Sequence, residues 1–297
     1  MSFTSYAGRK AVFALLVLLF AAPAFSLSLS SEPMRIVSLG GGITEILYRL
    51  ELDDKIVGVD ATSVYPEEAL KTKPDVGYVR TLGAEGILSL KPTLVLADQI
   101  AGPADTLALI EQAGVRVVRI PEGLKPEDIK ERIRAVSDAT GTESRGRQLL
   151  DEVEGNIARV NEAADALPRK KKVLFVLSAS NGKVMVGGTG TSIDHILKFV
   201  GADNAASSVQ GWKPFSEEGI ISSAPDTIIM MNHGPAGAPA DIFSMPAFAA
   251  TPAAQTRSFL KIDGPYLLNY GPRTPVAAME LLSALNGKTA GKLVIEQ

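Results

Sequence analysis

One segment of this sequence occurs twice. Glu85-Gly-Ile-Leu-Ser-Leu-Lys-Pro-Thr-Leu-Val-Leu96 and Glu218-Gly-Ile-Ile-Ser-Ser-Ala-Pro-Asp-Thr-Ile-Ile229 share a Glu-Gly-Ile-x-Ser-x-x-Pro frame, about 130 residues apart. Each reads as a short helix, a Pro that stops it, and a buried strand. A unit that falls once in each half implies two lobes of similar architecture. With 297 residues there is chain enough for both to build real cores.

The pattern around the repeat fills in those lobes. Apolar runs at Arg35–Leu39, Ile56–Val59, Leu94–Ala97 and Val115–Ile120 predict strands. Helical spacing at Thr44–Leu50 and Ala104–Ala113 falls between them, with Gly114 as a stop. Strands alternating with helices imply parallel, right-handed βαβ units. Pro126 to Leu167 is helical throughout, broken near Gly141, and its second part sets Leu149, Val153, Ile157 and Val160 on one stripe. After Pro168-Arg-Lys-Lys-Lys172 a second set begins: strands Val173–Leu177, Thr227–Met231 and Phe259–Ile262, helices Ser192–Gly201 and Pro275–Asn286. The expected fold is α/β: two Rossmann-like lobes, residues 34–140 and 172–297, joined by a long helix at 141–168. Such an arrangement leaves a cleft between the lobes, the usual place for a ligand.

The N-terminus reads as a targeting signal over residues 1–26. Arg9 and Lys10 precede an apolar run from Ala11 to Ala22, then Pro23-Ala-Phe-Ser26. The run is shorter than the roughly 20 residues that span a bilayer. No Cys stands at the junction to carry a lipid, so the expected product is a soluble periplasmic protein. Without Arg9 and Lys10, 28 basic residues face 33 acidic ones, a net charge of about −5. That balance argues against nucleic acid as a partner. Zero Cys excludes disulfides, a thiol nucleophile, Cys-ligated zinc and iron–sulfur clusters, and two His make a multi-histidine metal cage improbable. Gly40-Gly-Gly-Ile-Thr-Glu45 lacks the spacing of a dinucleotide fingerprint and the Lys of a P-loop, and there is no Gly-x-Ser-x-Gly elbow. No catalytic constellation is present, so a binding protein is expected rather than an enzyme.

Arg35-Ile-Val-Ser-Leu-Gly-Gly-Gly-Ile-Thr-Glu45, Gly58-Val-Asp-Ala-Thr-Ser-Val-Tyr-Pro66, Val76-Gly-Tyr-Val-Arg80, Trp212-Lys-Pro-Phe-Ser-Glu-Glu218 and Gly271-Pro-Arg273 cover the chain past the signal. Together they resemble the haem-binding periplasmic proteins of bacterial haem ABC importers. The broader class also holds siderophore- and cobalamin-binding proteins, which remain the alternative. The resemblance implies haem as transported ligand, with Tyr78 as axial ligand of its iron. A phenolate suits ferric haem, although a Tyr in a Gly-flanked loop is otherwise an ordinary surface residue. Tyr65 is the competing candidate, and Arg80 would bring positive charge to the phenolate or a propionate. His233 is a second ligand, a hydrogen-bond partner or a plain loop histidine. His195, among Ile193, Ile196 and Leu197, reads as structural. Met185, Trp212, Tyr266 and Tyr270 are candidate haem walls or core, and Arg273 a propionate contact or a helix cap. The resemblance further implies that Glu85 and Glu218 dock on an inner-membrane ABC permease dimer, although helix starts attract Glu anyway. A monomer is expected.

Overall fold

The computed structural model describes residues 1–2, 33–180, 183–232, 241–287 and 291–293. The N-terminal half carries β1 (Ile36–Leu39), α1 (Gly41–Arg49), β2 (Ile56–Val59), α2 (Glu68–Thr72), α3 (Ala84–Ser89), β3 (Leu94–Asp98), α4 (Ala104–Gln112) and β4 (Arg116–Ile120). Its strands form a four-stranded sheet in the order β2-β1-β3-β4, parallel throughout. The central β1 and β3 are buried along their whole length. Strands covered on both faces read as continuous apolar runs, the pattern the sequence shows.

Two helices come next, α5 (Asp128–Thr140) and α6 (Glu143–Asp165). Gly141, at φ 67°, ends α5 in the left-handed region that favours glycine. Leu149, Val153, Ile157 and Val160 are the buried stripe of α6, and each such side chain contributes about 1.5–3 kcal/mol on burial. Gly146 sets the distance between the two helices, since a Cβ there would stand 2.2 Å from Ser137 Oγ.

The C-terminal half adds β5 (Lys172–Ser180), β6 (Lys183–Gly187), α7 (Ser192–Phe199), β7 (Asp203–Asn204), β8 (Trp212–Phe215), α8 (Glu217–Ser223) and β9 (Thr227–Met231). It ends with α9 (Pro246–Ala249), α10 (Pro252–Gln255), β10 (Phe259–Ile262), α11 (Gly264–Leu268) and α12 (Thr274–Leu285). The six-stranded sheet runs β10-β9-β5-β6-β8, with β7 beside β5. β5, β7, β9 and β10 pair in parallel, but β6 is antiparallel to both β5 and β8. The second sheet is thus mixed, adding an antiparallel pair to the parallel βαβ units that the sequence implies. The link from β5 to β6 is far too short for a parallel crossover, and the Asn181-Gly182 dipeptide within it is itself a hairpin signal in sequence.

One apolar cluster runs from Ile36 and Ile120 through Ile133, Val153 and Val160 to Phe175, Ile196, Leu267 and Leu281. The helices α5, α6 and α12 are thus packed into a core shared by both sheets, and Pro33–Gln297 forms one unit. Sliding one sheet past the other would expose this cluster. The signal segment expected at residues 1–26 lies outside the described residues except for Met1 and Ser2. Among the described residues, no helix is long and apolar enough to cross a membrane.

Candidate ligand-binding cleft

Tyr78 and Arg80 flank Val79, and the alternation decides where they point. Val79 is buried in the N-terminal core, whereas Tyr78 is 50% exposed and Arg80 is exposed too. The backbone around them is tied down. Gly77, at φ 99°, donates its N–H to Asp75 Oδ1 at 2.8 Å, and its carbonyl accepts from Ala61 at 2.9 Å. The Tyr78 carbonyl accepts from Thr81 at 2.8 Å, and that of Val79 from Gly102 at 2.9 Å. Both side chains line a cleft of about 500 Å³, within the usual 300–1,000 Å³ of small-molecule sites. Among the described residues the Tyr78 hydroxyl is in no hydrogen bond, and no group of three His, Asp or Glu is placed to hold a metal ion.

The cleft draws on both halves of the chain. The N-terminal half supplies Gly40–Gly42, Thr62, Tyr78–Arg80 and Asp98; the C-terminal half supplies Gly190–Ser192, Gly211, Trp212, Leu268 and Asn269. Glu122–Leu124 and Arg132 complete it. Trp212 comes from the edge strand β8 and packs edge-on against Phe175, ring centroids 5.9 Å apart, with 39% of its surface exposed. Arg132 is 1% exposed; its Nη1 lies 2.9 Å from Asp98 Oδ2 and donates to the Pro121 carbonyl at 2.7 Å. A buried guanidinium needs that carboxylate, because an unpaired charge away from water is strongly disfavoured.

The glycine triplet at the start of α1 proves to be a seat, not a phosphate cradle. Gly40 N–H donates to Asp60 Oδ1 at 2.7 Å and Gly41 N–H to Thr62 Oγ1 at 2.9 Å. Asp60 is fully buried and also accepts from Thr62 N–H at 2.9 Å and Ser63 Oγ at 3.1 Å. Burial raises its pKa, and these hydrogen bonds, led by those of Thr62, oppose the rise. The helix end that would attract an anion already holds a carboxylate. Gly41 and Gly42 admit the C-terminal half instead. A Cβ on Gly41 would lie 2.3 Å from Asn269 Nδ2, and one on Gly42 2.2 Å from the Asn269 carbonyl.

Five residues offered by the sequence as pocket candidates stand outside the cleft lining. Tyr270 is 1% exposed, with its hydroxyl 2.6 Å from the Leu124 carbonyl and 2.7 Å from that of Ser192. It ties the cleft's floor to α7 instead of lining it, and burial pushes its pKa up. Arg273 has its guanidinium carbon 3.1 Å from the Tyr65 ring centroid and 4.7 Å from that of Tyr266. Its Nε is 3.1 Å from Glu45 Oε2, and its backbone N–H donates to Glu45 Oε1 at 2.7 Å. Arg273 and Tyr65 are therefore held in a contact between the two halves, where cation and ring satisfy each other, and neither lines the cleft. Burial raises the pKa of Glu45, with Arg273 pulling against it. Met185 lies on β6 between Ser178 and Pro214, in an interior strand away from the cleft. Tyr266 is buried and its phenol is pushed up to about 12, chiefly by burial. His195 is half-buried on α7, outside the cleft. His233 falls outside the described residues. Sequence reasoning missed Asp98, Arg132 and Asn269, whose roles come from contacts distant along the chain. Asp60 alone had a signal, inside the Gly58-Val-Asp stretch.

Comparison with known proteins agrees with this fold. The structure is similar to the apo form of the periplasmic heme-binding protein RhuT from Roseiflexus sp. RS-1, with a TM-score of 0.81 and 37% identity over 86% of this chain and 98% of that one. It is 30% identical to the uncharacterized ABC transporter substrate-binding lipoprotein YvrC of Bacillus subtilis (strain 168), over 68% of this chain and 65% of that protein. It is 26% identical to the vitamin B12-binding protein of Vibrio vulnificus (strain CMCP6), over 85% of this chain and 90% of that protein. Residues 36–266 match the periplasmic binding protein family. The chain belongs to that family, and it is a substrate-binding protein, not an enzyme.

Proposed function

We propose that this protein captures haem in the cleft, with the Tyr78 phenolate as axial ligand to ferric iron, and delivers it to an ABC importer of the inner membrane. The observation that carries the reading is a solvent-facing phenol on a hydrogen-bonded turn, in a cleft where no group of three His, Asp or Glu is placed for a metal ion among the described residues. Tyrosinate is an established ligand of ferric haem, and a fixed backbone lowers the ordering cost of binding. Arg80, on the same wall, would favour the anionic phenolate or pair with a propionate. Trp212 supplies a flat apolar surface from the other half. The similarity to the periplasmic heme-binding protein of Roseiflexus supports this reading. Glu85 and Glu218 are the proposed docking acids. Both are exposed, in the first turns of α3 and α8, and neither is in an ion pair among the described residues.

The vitamin B12-binding relatives support cobalamin as the second reading. Parallel titrations with hemin and cyanocobalamin separate the two. Hemin should bind with a Soret band, and Tyr78→Phe, which deletes only the oxygen, should shift the band and weaken binding by more than the roughly 10–100-fold typical of losing a metal site's supporting group. Binding of cyanocobalamin alone, or an unchanged spectrum in Tyr78→Phe, would overturn the proposal.

A further inference from the structure

The repeated segment folds into two short helices that agree in atomic detail. In α3, Ile87 is fully buried and Ser89 Oγ donates to the Gly86 carbonyl at 2.8 Å. In α8, Ile220 is fully buried and Ser222 Oγ donates to the Gly219 carbonyl at 3.2 Å. Lys91, at φ 49°, and Ala224, at φ 45°, end the two segments in the left-handed region at matching positions, each just before a Pro. A residue with a Cβ reaches that region only at an energetic cost, and here the same cost recurs in both copies. The direction also matches. The Leu82 N–H donates to the carbonyl of Gly102, beyond the C-terminal end of β3, while the Leu90 carbonyl accepts from Arg35 Nη2 beside the start of β1. Helix α3 therefore runs back along its sheet and carries Glu85 at the end where β3 finishes. Helix α8 starts beside Phe215, which pairs through Val184 with the C-terminal end of β5. The segment that follows it reaches Asp226, whose N–H donates to the Lys172 carbonyl at 2.8 Å at the start of β5.

With Ile87 and Ile220 turned inward, the residues two before and one after them stand on the outer side of each helix. The acid and the residue three positions on are neighbours on a helix surface. Those pairs are Glu85 with Leu88 and Glu218 with Ile221. Ile221 is 39% exposed; Leu88 is half-buried, resting partly on the N-terminal core. Each half thus presents a carboxylate beside an aliphatic side chain, on the same helix frame.

We infer that the docking element is this composite knob, Glu85 with Leu88 and Glu218 with Ile221, and that it fits a pair of identical subunits whose sockets each offer a cation beside an apolar wall. The inference rests on the docking reading above and assigns a division of labour within it. Exposed carboxylates steer the encounter and set its salt dependence. Leu88 and Ile221, losing water only once seated, set how long the complex lasts. Two knobs of one design suit a two-fold partner, where the same socket recurs by symmetry.

The test measures association and dissociation of the hemin-loaded protein on its permease, held in lipid nanodiscs, at low and high salt. Ile221→Ser and Leu88→Ala should each speed dissociation roughly tenfold, the scale of one lost aliphatic contact, with the association rate and its salt slope unchanged. Leu88→Met, which keeps the apolar volume, should restore slow dissociation and controls for loosening of α3. Glu85→Gln and Glu218→Gln should slow association at low salt and leave dissociation nearly unchanged. Hemin titration of every variant confirms an intact cleft. If the Gln variants slow association but the aliphatic variants dissociate like wild type, the composite knob falls and docking by the acids stands. If none of the four changes either rate, the docking reading falls and takes the inference with it. An effect confined to one half would overturn the paired socket.

Discussion

The two halves share a frame and differ at the cleft. Strands β1, β3 and β4 correspond in order to β5, β9 and β10, with α3 and α8 feeding the equivalent strands β3 and β9. Beyond that frame the N-terminal sheet stays parallel, while the C-terminal sheet extends through the antiparallel pair β6 and β8. That extension brings Trp212 to the cleft. The N-terminal wall instead presents Tyr78 and Arg80 on a loop clamped by hydrogen bonds. The repeated frame accounts for the likeness of the outer helices; on the haem reading proposed above, the walls differ because a flat ligand with a metal centre would need a ligating group on one side and a stacking surface on the other.

Four measurements would break or sharpen this contrast. The largest effect is the loss expected from Tyr78→Phe, with its spectral shift. Trp212→Ala should cost less, about 1–3 kcal/mol or roughly tenfold in hemin affinity by analogy with other aromatic stacking surfaces. It should leave the Soret position unchanged, and a shift equal to that of Tyr78→Phe would erase the distinction between the walls. Gly42→Ala probes the contact between the halves. Its methyl would drive into the Asn269 carbonyl, and overpacking of this kind costs about 1–3 kcal/mol, read as a lower melting temperature. An unchanged melt would mean that Asn269 moves aside freely. The smallest effect is pH-dependent. Because the Tyr266 phenol titrates near 12 in the fold instead of 10, the folded state holds a proton that the unfolded chain loses between those values, so stability falls as pH rises through that window. Tyr266→Phe should flatten this decline in urea melts, and an identical slope in both proteins would remove the phenol as its source.

Much of the fold was legible in advance, for local reasons. The strands β1, β3 and β9 announced themselves because they are covered on both faces, and α6 because its apolar stripe repeats at helical spacing. The β6–β8 extension was not read, although Asn181-Gly182 is a hairpin dipeptide; β8 spans only four residues with a Pro among them, too short to show a period. In the cleft, Tyr78 and Arg80 stand in one short motif and Trp212 in another, each a few consecutive residues that can be read locally. Tyr65 was expected at the cleft and lies outside its lining, while for Tyr270 and Arg273 the sequence left a pocket and a structural role both open. An aromatic ring or a guanidinium serves equally well as pocket wall and as core, and only its neighbours decide.

The sequence by itself determined the α/β alternation, the duplicated helix–Pro–strand unit and the absence of thiolate or multi-histidine chemistry, since each depends on residue type and local spacing. Tertiary structure alone decided that Arg132 meets Asp98, that Arg273 lies between Tyr65 and Tyr266, and that Gly42 must be glycine to seat Asn269. Those pairings join residues tens to hundreds of positions apart. No periodicity encodes them, and they exist only once a common core has brought both halves together.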